Sequence, residues 1–284
     1  YFDKDGVKNF SQQPTSEKKN IIGFFGDSYT ENISVTEEFE FSKILNSNIK
    51  NFNIVNYGVG GYNLEQSLIR YIKYKEHDLK YVIFFMMPGD HFERNLIEFD
   101  ENEKIKISQP EFNFLFRILG KLNISYLIMD AYFNFRYYFL NFHKTNRKNY
   151  PILYANKVYS EFYTKHERKE DDFDKIIKYF NQSSKENDAK FILLLYPSEK
   201  MIEYVEKKMK NELNKIDYYV LDKELLESEY LFKNDSHWNE LGNIYFAKYL
   251  INILKNYQIE FEDIDLNLYK NKVDEFYIQN TISK

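Results

Sequence analysis

The stretch IIGFFGDS, residues 21–28, decides the fold class. Its first five residues form a short apolar run that predicts a buried β-strand, and the Gly-Asp-Ser turn that follows predicts where this strand ends. The hydroxyl of Ser28 then emerges at the carboxyl end of the strand. The fold is therefore expected to begin at Ile21. Residues 1–20 are polar and show no sustained apolar period, so we interpret them as a lead-in or linker.

Working outward from this strand, the chain alternates between apolar segments and amphipathic ones. Four more strands are predicted, at residues 53–56, 81–87, 191–196 and 218–221. Helical stripes of apolar residues lie between and after them, and the first is preceded by Asn63 as an N-cap with Gln66 three residues later. This order predicts an α/β protein, a three-layer α/β/α sandwich with a flavodoxin-like parallel sheet of about five strands.

The strand rhythm breaks between about residues 92 and 171. This stretch includes an aromatic-rich segment, residues 110–142, and predicts a largely helical insertion, either a subdomain covering one sheet edge or a lid beside the functional site. One domain, residues 21–256, is expected to contain this insertion. Residues 257–284 are acidic and weakly patterned, which predicts a C-terminal arm or tail.

Composition excludes several classes of function. The 284 residues carry a net charge of -5, which offers no general attraction to nucleic acid, and the absence of Cys excludes thiolate catalysis and Cys-based metal sites. No metal or organic cofactor is implied. No apolar run approaches the length of a membrane span. The chain begins with Tyr1 rather than Met, so we expect an upstream signal or anchor segment. Any attachment to a membrane is expected to occur only through that segment.

Ser28 and His237 form the candidate reactive pair. Among the five histidines, His237 lies in the distinctive loop NDSHWN, residues 234–239, just before the amphipathic helix pattern of residues 241–254. Asp235, two residues earlier, can accept a hydrogen bond from Nδ1 of the imidazole, which leaves Nε2 to take a proton from a serine hydroxyl. The alternative is that Ser28, Asp235 or Asn234 caps a helix.

A serine that attacks a carbonyl also needs hydrogen-bond donors for the oxyanion. Gly58, Gly60 and Gly61 follow the second predicted strand, and glycines let backbone N–H groups approach a ligand without an intervening Cβ. The same glycines are also compatible with an ordinary tight turn between a strand and a helix.

Three of these segments, residues 26–28, 56–61 and 235–239, resemble in order the sequence blocks of the SGNH or GDSL hydrolases. The resemblance implies that Ser28 is the nucleophile and that Ser28 and Gly61 supply oxyanion N–H groups. The last block has the Asp-x-His-Trp form of envelope polysaccharide O-acetyltransferases, which implies Asp235 as the acid. The more usual Asp-x-x-His spacing would put Asn234 in that place.

The remaining block of the family departs from the pattern. The family's Gly-x-Asn-Asp falls on residues 88–91, PGDH, so that Gly89 stands where the family has its oxyanion Asn. Asn95 is the candidate substitute for this missing donor.

The sequence therefore predicts a serine esterase or O-acyltransferase that acts on a small acyl ester, an acetyl ester, of a cell-surface carbohydrate. This substrate implies a cell-envelope or periplasmic location, with the cytoplasm as the alternative. Two alternative functions stay open. One is a lipase-like or thioesterase activity on longer acyl chains, and the other is a non-catalytic carbohydrate-binding module that kept the fold.

Overall fold

The computed structural model of the protein describes residues 7–9, 20–32, 34–90, 96–101, 104–107, 172–210, 213–233, 235–262 and 265–282. The chain divides into two compact units, residues 1–93 together with 171–284, and residues 94–170. The described part of the first unit is built on a six-stranded sheet, and that of the second contains a two-stranded one.

The eight described strands are β1 (Lys8–Asn9), β2 (Ile21–Gly26), β3 (Asn53–Asn56), β4 (Leu79–Met86), β5 (Ile97–Phe99), β6 (Ile105–Ile107), β7 (Lys190–Leu195) and β8 (Asp217–Val220). The large sheet has the order β1-β3-β2-β4-β7-β8, and all its strands except β1 run parallel. The predicted parallel sheet of five strands is thereby confirmed. Strand β1 lies in the segment predicted to be a lead-in or linker, because two polar residues carry no strand period and pair only where the edge of β3 is open.

The described helices are α1 (Ser28–Glu31), α2 (Phe41–Asn48), α3 (Leu64–Tyr74), α4 (Phe173–Glu186), α5 (Glu199–Lys208), α6 (Glu240–Lys255) and α7 (Leu266–Ile282). Short 3-10 segments occupy residues 37–39, 213–215, 223–226 and 228–230. Within the described ranges, no helix has both the length and the apolar character that a bilayer span requires.

Neighbouring residues of a strand point to opposite faces of the sheet and bury both. Phe84 of β4 stacks on Phe180 of α4 with ring centroids 5.5 Å apart. The next residue, Phe85, contacts Phe246 of α6 on the other side, also at 5.5 Å. Because helices cover both faces, the strands read as continuous apolar runs, as in other parallel sheets. The predicted three-layer arrangement is confirmed.

Helix α3 begins where the sequence indicates. The side chain of Asn63 accepts a hydrogen bond from the backbone N–H of Gln66 at 3.0 Å, and the side chain of Gln66 accepts one from the N–H of Asn63 at 3.2 Å. This reciprocal pair is a capping box, which satisfies two N–H groups at the helix start. The predicted N-cap is confirmed.

The described residues of the predicted helical insertion are not helical. Strands β5 and β6 pair in an antiparallel hairpin, and the turn between them is closed by a hydrogen bond from the N–H of Lys104 to Oδ1 of Asp100 at 2.9 Å. Apolar residues flank a central charged residue in both strands, Ile-Glu-Phe in β5 and Ile-Lys-Ile in β6, which is the two-residue period of a strand. The helical prediction is wrong for this hairpin, and residues 108–171, with the aromatic-rich segment, lie outside the described residues.

The segment predicted to be a C-terminal arm or tail contains α7. Val273 of this helix is buried, and Phe276 contacts Phe39 with ring centroids 5.8 Å apart. The hydroxyl of Tyr269 accepts a hydrogen bond from Nδ2 of Asn48 at 3.3 Å. Helix α7 therefore packs on the rest of the first unit through residues 269, 273 and 276, whose spacing is that of one helix face.

Gly58 lets the turn after β3 contact the start of α1. Its N–H donates to Oδ1 of Asn56 at 2.9 Å, and Nδ2 of Asn56 donates to the carbonyl of Thr30 at 2.6 Å. A Cβ at position 58 would lie 2.5 Å from the backbone nitrogen of Glu31 and 2.7 Å from the carbonyl carbon of Thr30. Since these are backbone atoms, neither can move aside cheaply.

We therefore expect Gly58→Ala to lower the free energy of unfolding by about 1–3 kcal/mol, the usual cost of overpacking. Urea denaturation measures this change. The matched control is Gly60→Ala, because a Cβ there would meet side-chain atoms and no backbone, Oε2 of Glu31 at 2.9 Å and Cβ of Ser28 at 3.7 Å. Equal losses in the two variants would show that the close approach at Gly58 does not limit stability.

Candidate functional site

Ser28 is the first residue of α1 and directly follows the turn after β2. Asp27 is the N-cap of this helix, and its Oδ1 accepts a hydrogen bond from the N–H of Tyr29 at 2.9 Å. The first N–H groups of a helix have no acceptor within the helix, so the N–H of Ser28 points away from the helix body. The strand-to-helix turn thus presents both the hydroxyl and the N–H of one residue at the carboxyl edge of the sheet.

His237 is the hydrogen-bond partner of Ser28. Nε2 of its imidazole lies 2.7 Å from Oγ of Ser28, and Nδ1 lies 2.6 Å from Oδ1 of Asp235. A carboxylate only accepts hydrogen bonds, so the proton of the neutral imidazole is on Nδ1. Nε2 is then free to accept the proton of the Ser28 hydroxyl, which is the arrangement that makes a serine nucleophilic.

Asp235 is held in its ionised form. Partial burial opposes this, but it is outweighed by the hydrogen bonds from the side chain and backbone of His237 and by the positive charge that His237 carries when protonated, so the pKa of Asp235 is lowered. The backbone N–H of His237 donates to the same Oδ1 at 3.1 Å. The side chains of His237 and Asp235 are 27% and 48% exposed, so the pair is accessible to a substrate from solvent.

The loop that carries His237 is anchored by the two residues that follow it. Trp238 is buried, and its Nε1 donates to the carbonyl of Leu225 at 3.2 Å. Asn239 is the N-cap of α6 and accepts a hydrogen bond from the N–H of Gly242 at 3.0 Å. The cap of this helix is therefore Asn239 and not Asp235. Asn234 lies outside the described residues.

The glycine turn after β3 lies against α1 and Ser28. Gly61 adopts a φ of +73°, a left-handed conformation that favours glycine. A Cβ added at Gly61 would meet nothing within 4 Å, while one at Gly60 would lie 3.7 Å from Cβ of Ser28. The N–H of Gly60 donates to Oε2 of Glu31 at 2.6 Å. The turn therefore lies beside Ser28 at Gly60, and the N–H of Gly60 is bound by Glu31.

The turn after β4 uses its acidic residue for structure. Oδ2 of Asp90 accepts a hydrogen bond from the N–H of Met87 at 2.8 Å, and the carbonyl of Asp90 accepts one from the N–H of Leu64 at 2.9 Å. Gly89 has a φ of +104° and no side chain to donate an amide hydrogen bond. The predicted substitute, Asn95, lies outside the described residues.

Asp27 differs from Asp235 in its environment. Its burial raises the pKa to about 6, against the lowering effects of its backbone hydrogen bonds and of the nearby His237.

Of the other histidines, His77 has Nδ1 3.2 Å from the hydroxyl of Tyr57, and the remaining three lie outside the described residues. The described part of the chain contains no group of three His, Cys, Asp or Glu side chains that could hold a metal ion.

Sequence reasoning missed two neighbours of Ser28 on the same short helix, Tyr29 and Glu31. The ring of Tyr29 lies against His237, with centroids 4.7 Å apart, and Glu31 holds the N–H of Gly60. The signal in the sequence was their position, one and three residues after the candidate nucleophile. Their partners, however, are 208 and 29 residues away, and no local pattern indicates them.

No protein-family model matches the sequence, and no curated protein matches it either. The chain is similar to the solved structure of a member of the lipolytic protein G-D-S-L family from Veillonella parvula DSM 2008, with 14% identity, coverage of 83% of this chain and 98% of that chain, and a TM-score of 0.44. It is also similar to a protein assigned to the lipolytic G-D-S-L family from Desulfitobacterium hafniense DCB-2, with 13% identity, coverage of 82% and 97%, and a TM-score of 0.45. The chemistry of the site is inferred from its own geometry.

Proposed function

We propose that the protein is a serine esterase or O-acyltransferase in which Ser28, His237 and Asp235 act as a catalytic triad. The single observation that carries this proposal is the continuous chain of hydrogen bonds from Oδ1 of Asp235 through the imidazole to Oγ of Ser28, at 2.6 and 2.7 Å. A serine or an aspartate that only capped a helix would not need this series of hydrogen bonds. Nucleophile, base and orienting acid are the three parts that covalent acyl transfer requires.

In the proposed mechanism, Oγ of Ser28 attacks the ester carbonyl while Nε2 of His237 takes the hydroxyl proton. The tetrahedral intermediate collapses when the bond to the alcohol breaks, and the imidazolium gives its proton to the leaving alcohol. The acyl group is then bound to Ser28. Water, or an acceptor hydroxyl, attacks this acyl-serine with His237 again as base, and the serine is regenerated. Asp235 stabilises the imidazolium in both halves and keeps its own charge.

The oxyanion of each intermediate is proposed to accept hydrogen bonds from the N–H groups of Ser28 and Gly61. Support comes from the position of Ser28 at the start of α1 and from Gly60, the neighbour of Gly61, where an added Cβ would lie 3.7 Å from Cβ of Ser28. Gly89 supplies no side-chain amide, and removal of one such donor costs about 10² to 10³ in rate where it has been tested. We therefore propose that the protein turns over its ester slowly unless Asn95 or another group replaces this donor.

The proposed substrate is a small acyl ester, an acetyl ester, on a cell-surface carbohydrate, which places the reaction in the cell envelope or periplasm. It is supported by the resemblance of residues 235–238 to the Asp-x-His-Trp form of the family's last block. Hydrolysis and transfer use the same acyl-serine and differ only in whether water or a sugar hydroxyl attacks it.

A fluorophosphonate probe is expected to label Ser28, because it is paired with a base that activates its hydroxyl. Peptide mapping by mass spectrometry locates the adduct, and Ser28→Ala should abolish it. A matched control is Ser42→Ala, since Ser42 is fully buried in α2 and lies outside the triad. Absence of labelling in the parent protein would sink the esterase proposal and favour the non-catalytic module, and labelling that survives Ser28→Ala would show that Ser28 is not the nucleophile.

Asp235→Asn is expected to lower kcat for p-nitrophenyl acetate by about 10² to 10⁴, because an amide that donates to Nδ1 selects the wrong tautomer of the imidazole. Steady-state kinetics at pH 8 measure the effect. Asn234→Ala, at the position that the other family spacing would use, should reduce kcat far less. The reverse ranking of the two variants would identify Asn234 as the partner of His237.

A series of p-nitrophenyl esters tests the proposed acyl group. With a site shaped for acetyl, each methylene beyond about two carbons meets a steric cost greater than the roughly 0.8 kcal/mol that its burial contributes. We expect kcat/KM to be highest for acetate and to fall through butyrate, hexanoate and octanoate. An open apolar groove would instead raise kcat/KM about three- to fourfold per carbon, and a rise through to octanoate would favour a lipase or thioesterase.

A further inference from the structure

We infer that Tyr29 is a positioning residue for His237, because its ring lies against one face of the imidazole and its hydroxyl is tied to the backbone of the same loop. The inference rests on the proposed function, in which His237 is the general base. It assigns to the residue directly after the nucleophile a role in aligning the base with that nucleophile.

The contact between the two rings is direct. Their centroids are 4.7 Å apart and their planes are inclined by 28°, so the rings are stacked. The hydroxyl of Tyr29 donates a hydrogen bond to the carbonyl of Ser236, the residue between Asp235 and His237. One side chain on α1 therefore contacts both the imidazole and the backbone that carries it.

Tyr29 is itself firmly held. It is only 8% exposed, and its ring meets the edge of Trp238 at 5.2 Å with an interplanar angle of 88°. Phe85 and Tyr196 make further edge contacts, at 6.4 and 6.2 Å. Burial raises the pKa of the Tyr29 phenol, so the hydroxyl stays protonated and remains a donor to Ser236.

The stack supplies a restraint that the hydrogen bonds of His237 do not. Bonds from Nδ1 to Asp235 and from Nε2 to Ser28 lie in the plane of the imidazole and leave the ring able to tilt about the line that joins them. A second ring against its face opposes this tilt. The electron-rich face of a phenol also attracts a cation, so the contact strengthens when His237 takes the serine proton.

The placement of Tyr29 on α1 adds to this effect. Ser28 and Tyr29 are consecutive residues of one helical turn, whose N-cap hydrogen bond runs from the N–H of Tyr29 to Asp27 at 2.9 Å. The nucleophile and the restraint on its base therefore move together. Productive proton transfer requires alignment within about half an ångström, which this shared attachment helps to maintain.

The test compares Tyr29→Phe, which keeps the ring and loses only the hydroxyl, with Tyr29→Leu and Tyr29→Met, which remove the ring. We expect the ring-deleting variants to lower kcat for p-nitrophenyl acetate about 10- to 100-fold with little change in KM, and Tyr29→Phe to lower it less than about tenfold. Phe41→Leu is the matched control, because Phe41 is a fully buried ring that packs on Phe24 and Phe246. It should lose stability without this loss of kcat.

A second readout needs no substrate. The proton on Nδ1 of His237, in its hydrogen bond to Asp235, gives a low-field NMR resonance that broadens when the imidazole becomes mobile. This resonance should persist in Tyr29→Phe and in Phe41→Leu and broaden or vanish in Tyr29→Leu and Tyr29→Met, with circular dichroism confirming that each variant is folded. A folded ring-deleting variant that keeps the resonance would overturn the inference. Failure of the parent protein to turn over any ester would overturn the proposed function alone, because the NMR comparison reports the position of His237 in either case.

Discussion

The hydrogen bond between Oγ of Ser28 and Nε2 of His237 is the interaction on which the rest of the site depends. It joins residues 209 positions apart in the chain at a distance of 2.7 Å. The parallel sheet makes this possible, because it brings the carboxyl ends of its strands to one edge. The turn after β2 carries Ser28 to that edge, and the loop that precedes α6 carries His237 there. A sheet alone positions such loops only approximately, so the remaining alignment comes from contacts between them.

Those contacts share a common design, in which Ser28 and His237 of the proposed triad each have a structural neighbour in the chain. Trp238 and Asn239 anchor the loop after His237 by a buried hydrogen bond and a helix cap. Asp27 caps the helix that Ser28 begins. Tyr29 then connects the two segments by lying against the imidazole. Short, well-anchored segments are able to hold a few side chains in reactive geometry without making the side chains themselves inaccessible.

Two carboxylates near one imidazole have opposite environments, and this separates their roles. Asp235 is half exposed and hydrogen-bonded to His237, and its pKa is lowered. Asp27 is desolvated at the base of α1, which raises its pKa to about 6. The carboxylate that stays ionised to lower pH is thus the one in contact with Nδ1, as the proposed orienting acid requires. The other is used to cap a helix, and its charge acts on His237 only through space.

The sequence by itself determined the fold class and the candidates Ser28, Asp235 and His237, because strand periods, tight turns and a two-residue spacing are local patterns. It did not determine the pairing of β1, the hairpin of β5 and β6, the packing of α7 or the partners of Tyr29 and Glu31. Each of these depends on which distant segment lies alongside, and that depends on strand order and on which edges and faces are left uncovered. Only the tertiary structure brings the ring of Tyr29 to His237, because nothing in a residue that follows a serine indicates a contact 208 positions further along the chain.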